Sequence, residues 1–226
     1  MKKLLLAILL CIAVTMFLAA CGENSTNVST DSNNNTSATE EGQINDDKKT
    51  DFVNTAEQTT IFPGTWTVGS DLKAGKYIFS ANSGMGNFFI YNTSGYPIIN
   101  DILTSSTEDS FGMGVTKIQA YVVDGYTIEV SGLNEVMCKP ADSELKTTLI
   151  AGMHVVGWDI TEGSYIVTGN GNSGNFFVYD KNGTPTVNEI ISNDSMGLGV
   201  EKVKVKLKDG YIIGISGIES LSFTAQ

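Results

Sequence analysis

From Lys117 to Val130 the chain alternates on both sides of one turn. Ile118, Ala120 and Val122 are apolar, Lys117, Gln119 and Tyr121 stand between them, and after Asp124-Gly125 the pattern resumes with Tyr126, Ile128 and Val130. A period of two is what a strand with one buried face requires. Asp-Gly between two such runs predicts a hairpin. Farther on, Lys202, Lys204, Lys206 and Lys208 alternate with Val203, Val205 and Leu207, and Asp209-Gly210 leads into Tyr211-Ile212-Ile213. That register sends the lysines to water and the aliphatics to a core. Tyr77-Ile78-Phe79, Asn87 to Tyr91 and Ile98 to Leu103 are further β-prone runs, separated by turn residues at Ser83 to Gly86 and Asn92 to Gly95.

These runs occur twice. Gly69-Ser70-Asp71-Leu72-Lys73-Ala74-Gly75-Lys76-Tyr77 returns as Gly157-Trp158-Asp159-Ile160-Thr161-Glu162-Gly163-Ser164-Tyr165, at an offset of 88. Asn175-Phe176-Phe177-Val178-Tyr179 matches Asn87 to Tyr91, and Pro185 matches Pro97, at the same offset. The loop Ser192 to Met196 is shorter by three than its counterpart, so from Gly199 the offset is 85. An indel confined to a polar loop fits two copies of one fold. In the recurring phrase, Asp71 can bond its own downstream backbone and Gly75 can take positive φ. The expected fold class is all-β: two tandem small antiparallel β-sandwich or partly open barrel repeats, at 61–140 and 149–226, joined by a polar linker at 141–148. Modules of this size leave much of their surface wet, so packing between copies would help them. The Gly, Asp, Gly, Tyr phrase with its aromatic strand resembles small β modules of secreted and lipid-anchored proteins of Gram-positive bacteria. The resemblance spans 61–226 and brings no catalytic residues with it.

The chain starts differently. Lys2 and Lys3 precede an apolar run from Leu4 to Ala20, the form of a secretory leader, and the run is slightly short for a membrane span. It ends in Leu18-Ala19-Ala20-Cys21, which resembles the lipobox of bacterial lipoproteins. The resemblance implies that Cys21 carries a diacylglycerol thioether, anchoring the protein to the extracytoplasmic face of the cell membrane. From Gly22 to about Thr60 the chain is mostly Ser, Thr, Asn, Asp and Glu. So polar a stretch cannot bury enough surface to offset its ordering entropy, and it reads as a disordered tether with a mean reach of about 35 Å.

Composition narrows the partners. Net charge is −11, and every basic residue is lysine. Without Lys2 and Lys3, 12 lysines stand against 25 carboxylates, a net −13. That field repels phosphates, so no nucleic acid partner is expected. Only Cys138 remains beyond the leader and its end, so no disulfide framework is expected.

Candidate chemistry is sparse. His154 is the single histidine, and Trp66 occupies the corresponding position, which argues for packing or a rim rather than catalysis. No metal site is expected from one histidine and one body cysteine. Cys138 aligns with Phe223 in the final strand, an inward position, so a buried inert thiol is expected. No serine stands in Gly-x-Ser-x-Gly. The Gly-rich turns at Ser83 to Gly86 and Gly169 to Gly174 lack the lysine and following helix of a phosphate cradle. No catalytic residue and no cofactor are therefore assigned.

Aromatic faces remain. Phe89 and Tyr91 point away from Phe88 and Ile90, and Phe177 and Tyr179 repeat the arrangement. Burial on both faces is the simpler reading. If one face is open, Phe89, Tyr91, Phe177 and Tyr179 form two equivalent patches for stacking on sugar rings or for binding a protein. The expectation is a lipid-anchored, non-enzymatic binding or structural protein, held to the membrane at Cys21 and directed at cell-wall polymer or a surface protein. The competing expectations are an immunity or phage-exclusion lipoprotein that intercepts a toxin or phage component, and a hydrolase built on paired carboxylates.

Overall fold

The computed structural model describes residues 53–105, 112, 114–171, 173–193 and 199–226. Cys21, the apolar leader and the tether as far as residue 52 lie outside the described residues, as do residues 106–111 and 194–198 of the two polar loops. The described residues contain no helix. Their strands are β1 (Thr59–Ile61), β2 (Gly64–Thr67), β3 (Gly75–Tyr91), β4 (Pro97–Thr104), β5 (Ile118–Val122), β6 (Thr127–Pro140), β7 (Thr148–Val155), β8 (Gly163–Asn170), β9 (Ser173–Tyr179), β10 (Pro185–Ser192), β11 (Lys202–Leu207) and β12 (Ile212–Ala225).

All twelve belong to one large, mostly antiparallel sheet that does not close on itself. Its main path runs β1-β6-β3-β5-β7-β12-β8-β11. Long bent strands make the layers. β3 is 17 residues long and shifts register against β6 between Ala81 and Asn87. Its first arm pairs with β5 and the end of β6, and its second arm pairs with β4 and the start of β6. The bend lays the two arms over each other, with the rings of Phe79 and Phe88 4.9 Å apart between them. Around these rings pack Ile61, Tyr77, Ile90, Ile118, Ile128 and Cys138. In the C-terminal half β12 plays the bent part, pairing with β7, β8 and β9, and Phe223 meets both Tyr165 and Phe176 edge-on. Each buried aromatic or aliphatic side chain contributes about 1.5–3 kcal/mol.

The hairpin expected at Asp124-Gly125 is not formed. Gly125 does take positive φ (85°), yet β5 pairs with β3 and β7, whereas β6 pairs with β1, β2 and β3. The turn is an arch that carries the chain from one layer to the other. Alternation and a flexible glycine suit a hairpin and an arch equally, because both put every second side chain toward the same core. What selects the arch is Val68, which donates its N–H to Tyr126 O and accepts from Gly125 N. Val156 does the same for Tyr211 and Gly210, so Asp209-Gly210 is also an arch. The turn's polar groups are thereby satisfied without a cross-strand ladder.

The recurring Asp is a turn cap, but it reaches upstream rather than downstream. Asp71 Oδ2 accepts from Thr67 N (2.7 Å), and Asp159 Oδ2 accepts from Val155 N (2.8 Å). Residues ahead of Ile61 are held against the strands as well. The Asn54 side chain bonds both polar groups of the Lys76 backbone and the carbonyl of Ala141, and Glu57 N donates to Tyr77 OH. Polar side chains hold this stretch, which is why counting apolar residues does not reveal it.

Between the halves, β5 and β7 run parallel and meet at Gln119 and Gly152. A Cβ on Gly152 would sit 1.9 Å from Gln119 O, and its φ is 119°, so only glycine allows this approach. The joint after β6 contains no strand up to Thr148. It is fixed by Ala141 N to Lys76 O and by Lys146 N to Asp159 O.

Candidate functional site

Two features lie where the halves meet. One is open to solvent and the other is sealed. The open one is a groove of about 660 Å³, with Pro97 and Ile98 at the start of β4 on one side. Met153, Tyr179 and Ile212 face them, and the turns bearing Asp180, Lys181, Gly183 and Gly210 form the rim. The rim turn is held by Asp180, whose Oδ1 accepts from Asn182 N and Thr184 N. Its lysine reaches across to Asp209 Oδ2 at 3.5 Å, and both side chains are well exposed. An apolar floor with a few polar groups at the lip is the usual chemistry of a ligand groove.

The strand bearing Tyr179 alternates as the sequence requires. Phe176 and Val178 are buried in the core, while Phe177 and Tyr179 are half-buried on the outer face, as are Phe89 and Tyr91. The outer rings stack in pairs, Phe89 with Tyr91 at 5.8 Å and 19° and Phe177 with Tyr179 at 6.4 Å and 22°. The outer faces are therefore neither sealed nor bare. Only Tyr179 of the four also lines the groove. Its neighbour Phe177 lies over Gly214, where a Cβ would meet the ring at 3.6 Å. No feature of the sequence pointed to Ile98, Met153 or Ile212, because a groove between halves depends on how they dock.

The sealed feature is a polar cluster. Lys76 (1 % exposed) comes from β3 and Gln119 and Tyr121 from β5, while His154 lies near the end of β7 and Asp159 follows in the recurring turn. Lys76 Nζ lies 2.5 Å from Asp159 Oδ1 and donates to Asp142 O at 2.6 Å. Gln119 Nε2 spans His154 Nδ1 (2.8 Å) and Asp159 Oδ1 (3.1 Å). Tyr121 OH donates to Asp159 Oδ2 at 2.9 Å, and its ring lies under Lys76 Nζ and beside Trp158. His154 Nε2 faces Ile150 O at 2.8 Å, so that nitrogen carries the proton and Nδ1 accepts from Gln119. Burial holds the His154 pKa below its ordinary value, against the opposing pull of the Asp159 charge, and keeps the ring neutral. His154 is thus a buried packing position rather than a rim one. Among the described residues, every buried side-chain nitrogen and oxygen has a hydrogen-bond partner.

Two carboxylates also meet across the halves. Asp101 on β4 accepts from Gly217 N at 3.1 Å, and Glu219 accepts from Thr116 N and Oγ1 at 2.9 Å each. Burial, with a smaller push from Glu219, raises the Asp101 pKa to about 6. Both groups are engaged as acceptors, and neither lines the groove. Cys138 is fully buried, and desolvation pushes its thiol up to about 12, so the thiolate needed for nucleophilic attack does not form. No group of three or more His, Cys, Asp or Glu among the described residues is arranged to hold a metal ion. Compared with known proteins, the chain matches no family model, no curated protein and no solved structure.

Proposed function

We propose that this is a lipid-anchored, extracytoplasmic binding protein without catalytic activity. It is built from two copies of one β module on a tether that begins at Cys21, and it seats a ring-bearing ligand against Tyr179. The observation that carries the reading is the groove: an apolar floor of Ile98, Met153, Tyr179 and Ile212 with a charged lip at Asp180 and Lys181. A half-buried tyrosine offers a flat apolar face and a polar tip, which suits a sugar ring with its alternating C–H and O–H faces. Cell-wall polymer is the partner this chemistry favours. The other outer aromatic pair, Phe89 and Tyr91, gives a second stacking surface on the same tether, and two weak sites on a repetitive polymer reinforce each other.

The test is sedimentation of the purified full chain with isolated cell-wall polysaccharide, comparing wild type with Tyr179→Ala. Binding that falls at least roughly fivefold in the variant is expected, since stacking on an aromatic side chain is worth about 1–3 kcal/mol. Absence of binding to any wall fraction, or binding indifferent to Tyr179, overturns the reading.

A further inference from the structure

The sealed cluster between the halves brings a primary amine and a carboxyl group together, both buried from solvent. We infer that Lys76 and Asp159 condense to an intramolecular amide, so that the two halves are joined covalently through their side chains. The geometry points to this in three ways. Lys76 Nζ and Asp159 Oδ1 are 2.5 Å apart, and the two side chains are 2 % and 4 % exposed. The second carboxyl oxygen, Oδ2, accepts from Tyr121 OH (2.9 Å) and from Val155 N (2.8 Å), two donors fixed by the fold. Finally, the amine cannot swing away, because it is held by Asp142 O at 2.6 Å and rests on the Tyr121 ring.

The step balances without any co-reactant. A proton passes from the Nζ ammonium to Oδ1, giving a neutral amine and a neutral acid. The Nζ lone pair adds to Cγ, and the Cγ–Oδ2 π pair moves onto Oδ2. There it meets the Tyr121 hydroxyl and the Val155 amide, placed as an oxyanion hole is placed. A second proton moves from nitrogen to Oδ1, the Cγ–Oδ1 bond breaks, and Oδ1 leaves as water. The pair on Oδ2 re-forms the carbonyl. Tyr121 and Val155 N touch a reacting atom. Gln119, which donates to Oδ1 and to His154, acts as a positioning residue that holds the carboxyl against the amine.

For an exported protein with a single cysteine in its described body, such a bond would do what a disulfide does elsewhere. It would lie across the joint, where pulling on the chain would otherwise separate the halves.

Peptide mapping of the full chain decides the matter. The protein is denatured, digested with trypsin and read by tandem mass spectrometry. A branched peptide joining Lys76 to Asp159, lighter than its two components by one water, with no cleavage after Lys76, is the expected result. Recovery of the two peptides separately at full mass overturns the inference and leaves an ordinary buried ion pair. Lys76→Arg should abolish the branch, and a branch that persists there refutes the assignment to Lys76. Asp159→Asn should restore the same branched mass, because an amide loses ammonia where the acid loses water. Should that variant fail to fold, the wild-type map alone still decides between the bond and the ion pair.

Discussion

Replacing Asp101 by Asn should make the protein more stable near neutral pH. Asp101 is 8 % exposed on β4, its carboxylate accepts from Ile102 N and Gly217 N, and Glu219 adds like charge nearby. Burial outweighs the two donors, so the folded pKa lies at about 6, against 3.8 for the free side chain. The folded state therefore binds the Asp101 proton more tightly than the unfolded chain does. The stability from this group is fully present below pH 3.8 and is lost as pH rises through about 6. The whole loss is about 3 kcal/mol, at roughly 1.4 kcal/mol per pH unit of separation. Asn keeps one acceptor oxygen for the same backbone donors and places an NH₂ rather than a charge near Glu219. Since neutral acceptors bond less strongly than a carboxylate, about 1–2 kcal/mol of the loss should be recovered at pH 7.5, or ~2–8 °C in Tm for a folded body of this size. Denaturant titrations of both proteins across the acid-to-neutral range give the difference directly, and every other titrating group cancels from it. The curve should rise in favour of Asn through pH 4–6 and then flatten. A flat difference, or a less stable variant at pH 7.5, would refute the reasoning that burial dominates at Asp101.

Other expectations come from the core, the seam and the edge. Phe88→Ala should cost about 3–5 kcal/mol in chemical denaturation, because the ring fills the space between the two arms of β3. Gly152→Ala should cost roughly 3 kcal/mol or more and expose the β5–β7 seam to hydrogen exchange, since backbone at Gln119 blocks the added Cβ. His154 has the opposite sign to Asp101. Its folded pKa lies below 6.5, so its contribution is present above pH 6.5 and is lost as pH falls further, and His154→Asn should weaken that acid-side loss. Replacing Lys204 and Lys206 together by Val should produce concentration-dependent association in light scattering, with little change in the fold of the monomer.

The sequence reads well wherever one residue's environment depends on its own strand. Lys202, Lys204 and Lys206 are exposed between half-buried or buried Val203, Val205 and Leu207, and Cys138 is buried at the inward position that its alignment with Phe223 assigns. Pairing was less legible. Alternation around Asp124-Gly125 specifies which side chains turn inward, but not whether the next strand lies alongside or in the opposite layer. That choice belongs to Val68, more than 50 residues upstream. The candidate groove was half legible. Tyr179 was visible as an outward aromatic, whereas Ile98 and Met153 acquire their role only when the halves dock. The Lys76–Asp159 contact was hidden for a related reason. Asp159 already had a sufficient local explanation as a turn cap, and that role is also present in the structure.

The positions that recur in the sequence differ most where one edge is covered and the other is not. In the N-terminal half, β5 is covered along one side by β7, and Lys76, Gln119 and Tyr121 turn to the polar side chains that β7 and its turn bring in. The positions offset by 88 and 85 are Ser164, Lys204 and Lys206, on β8 and on β11, the last strand of the sheet. Among the described residues no strand caps β11 on its far side, so its unpaired backbone groups are a template for adding another chain. Three lysines on a short strand oppose that addition, because pairing would bury or crowd ammonium groups that water otherwise solvates. Positions matched in the sequence thus carry hydrogen-bonding groups where a neighbouring strand is held, and repelling charge where none is paired. The Lys76 cluster is then part of the joint itself, which is where a covalent bond would have the greatest mechanical effect.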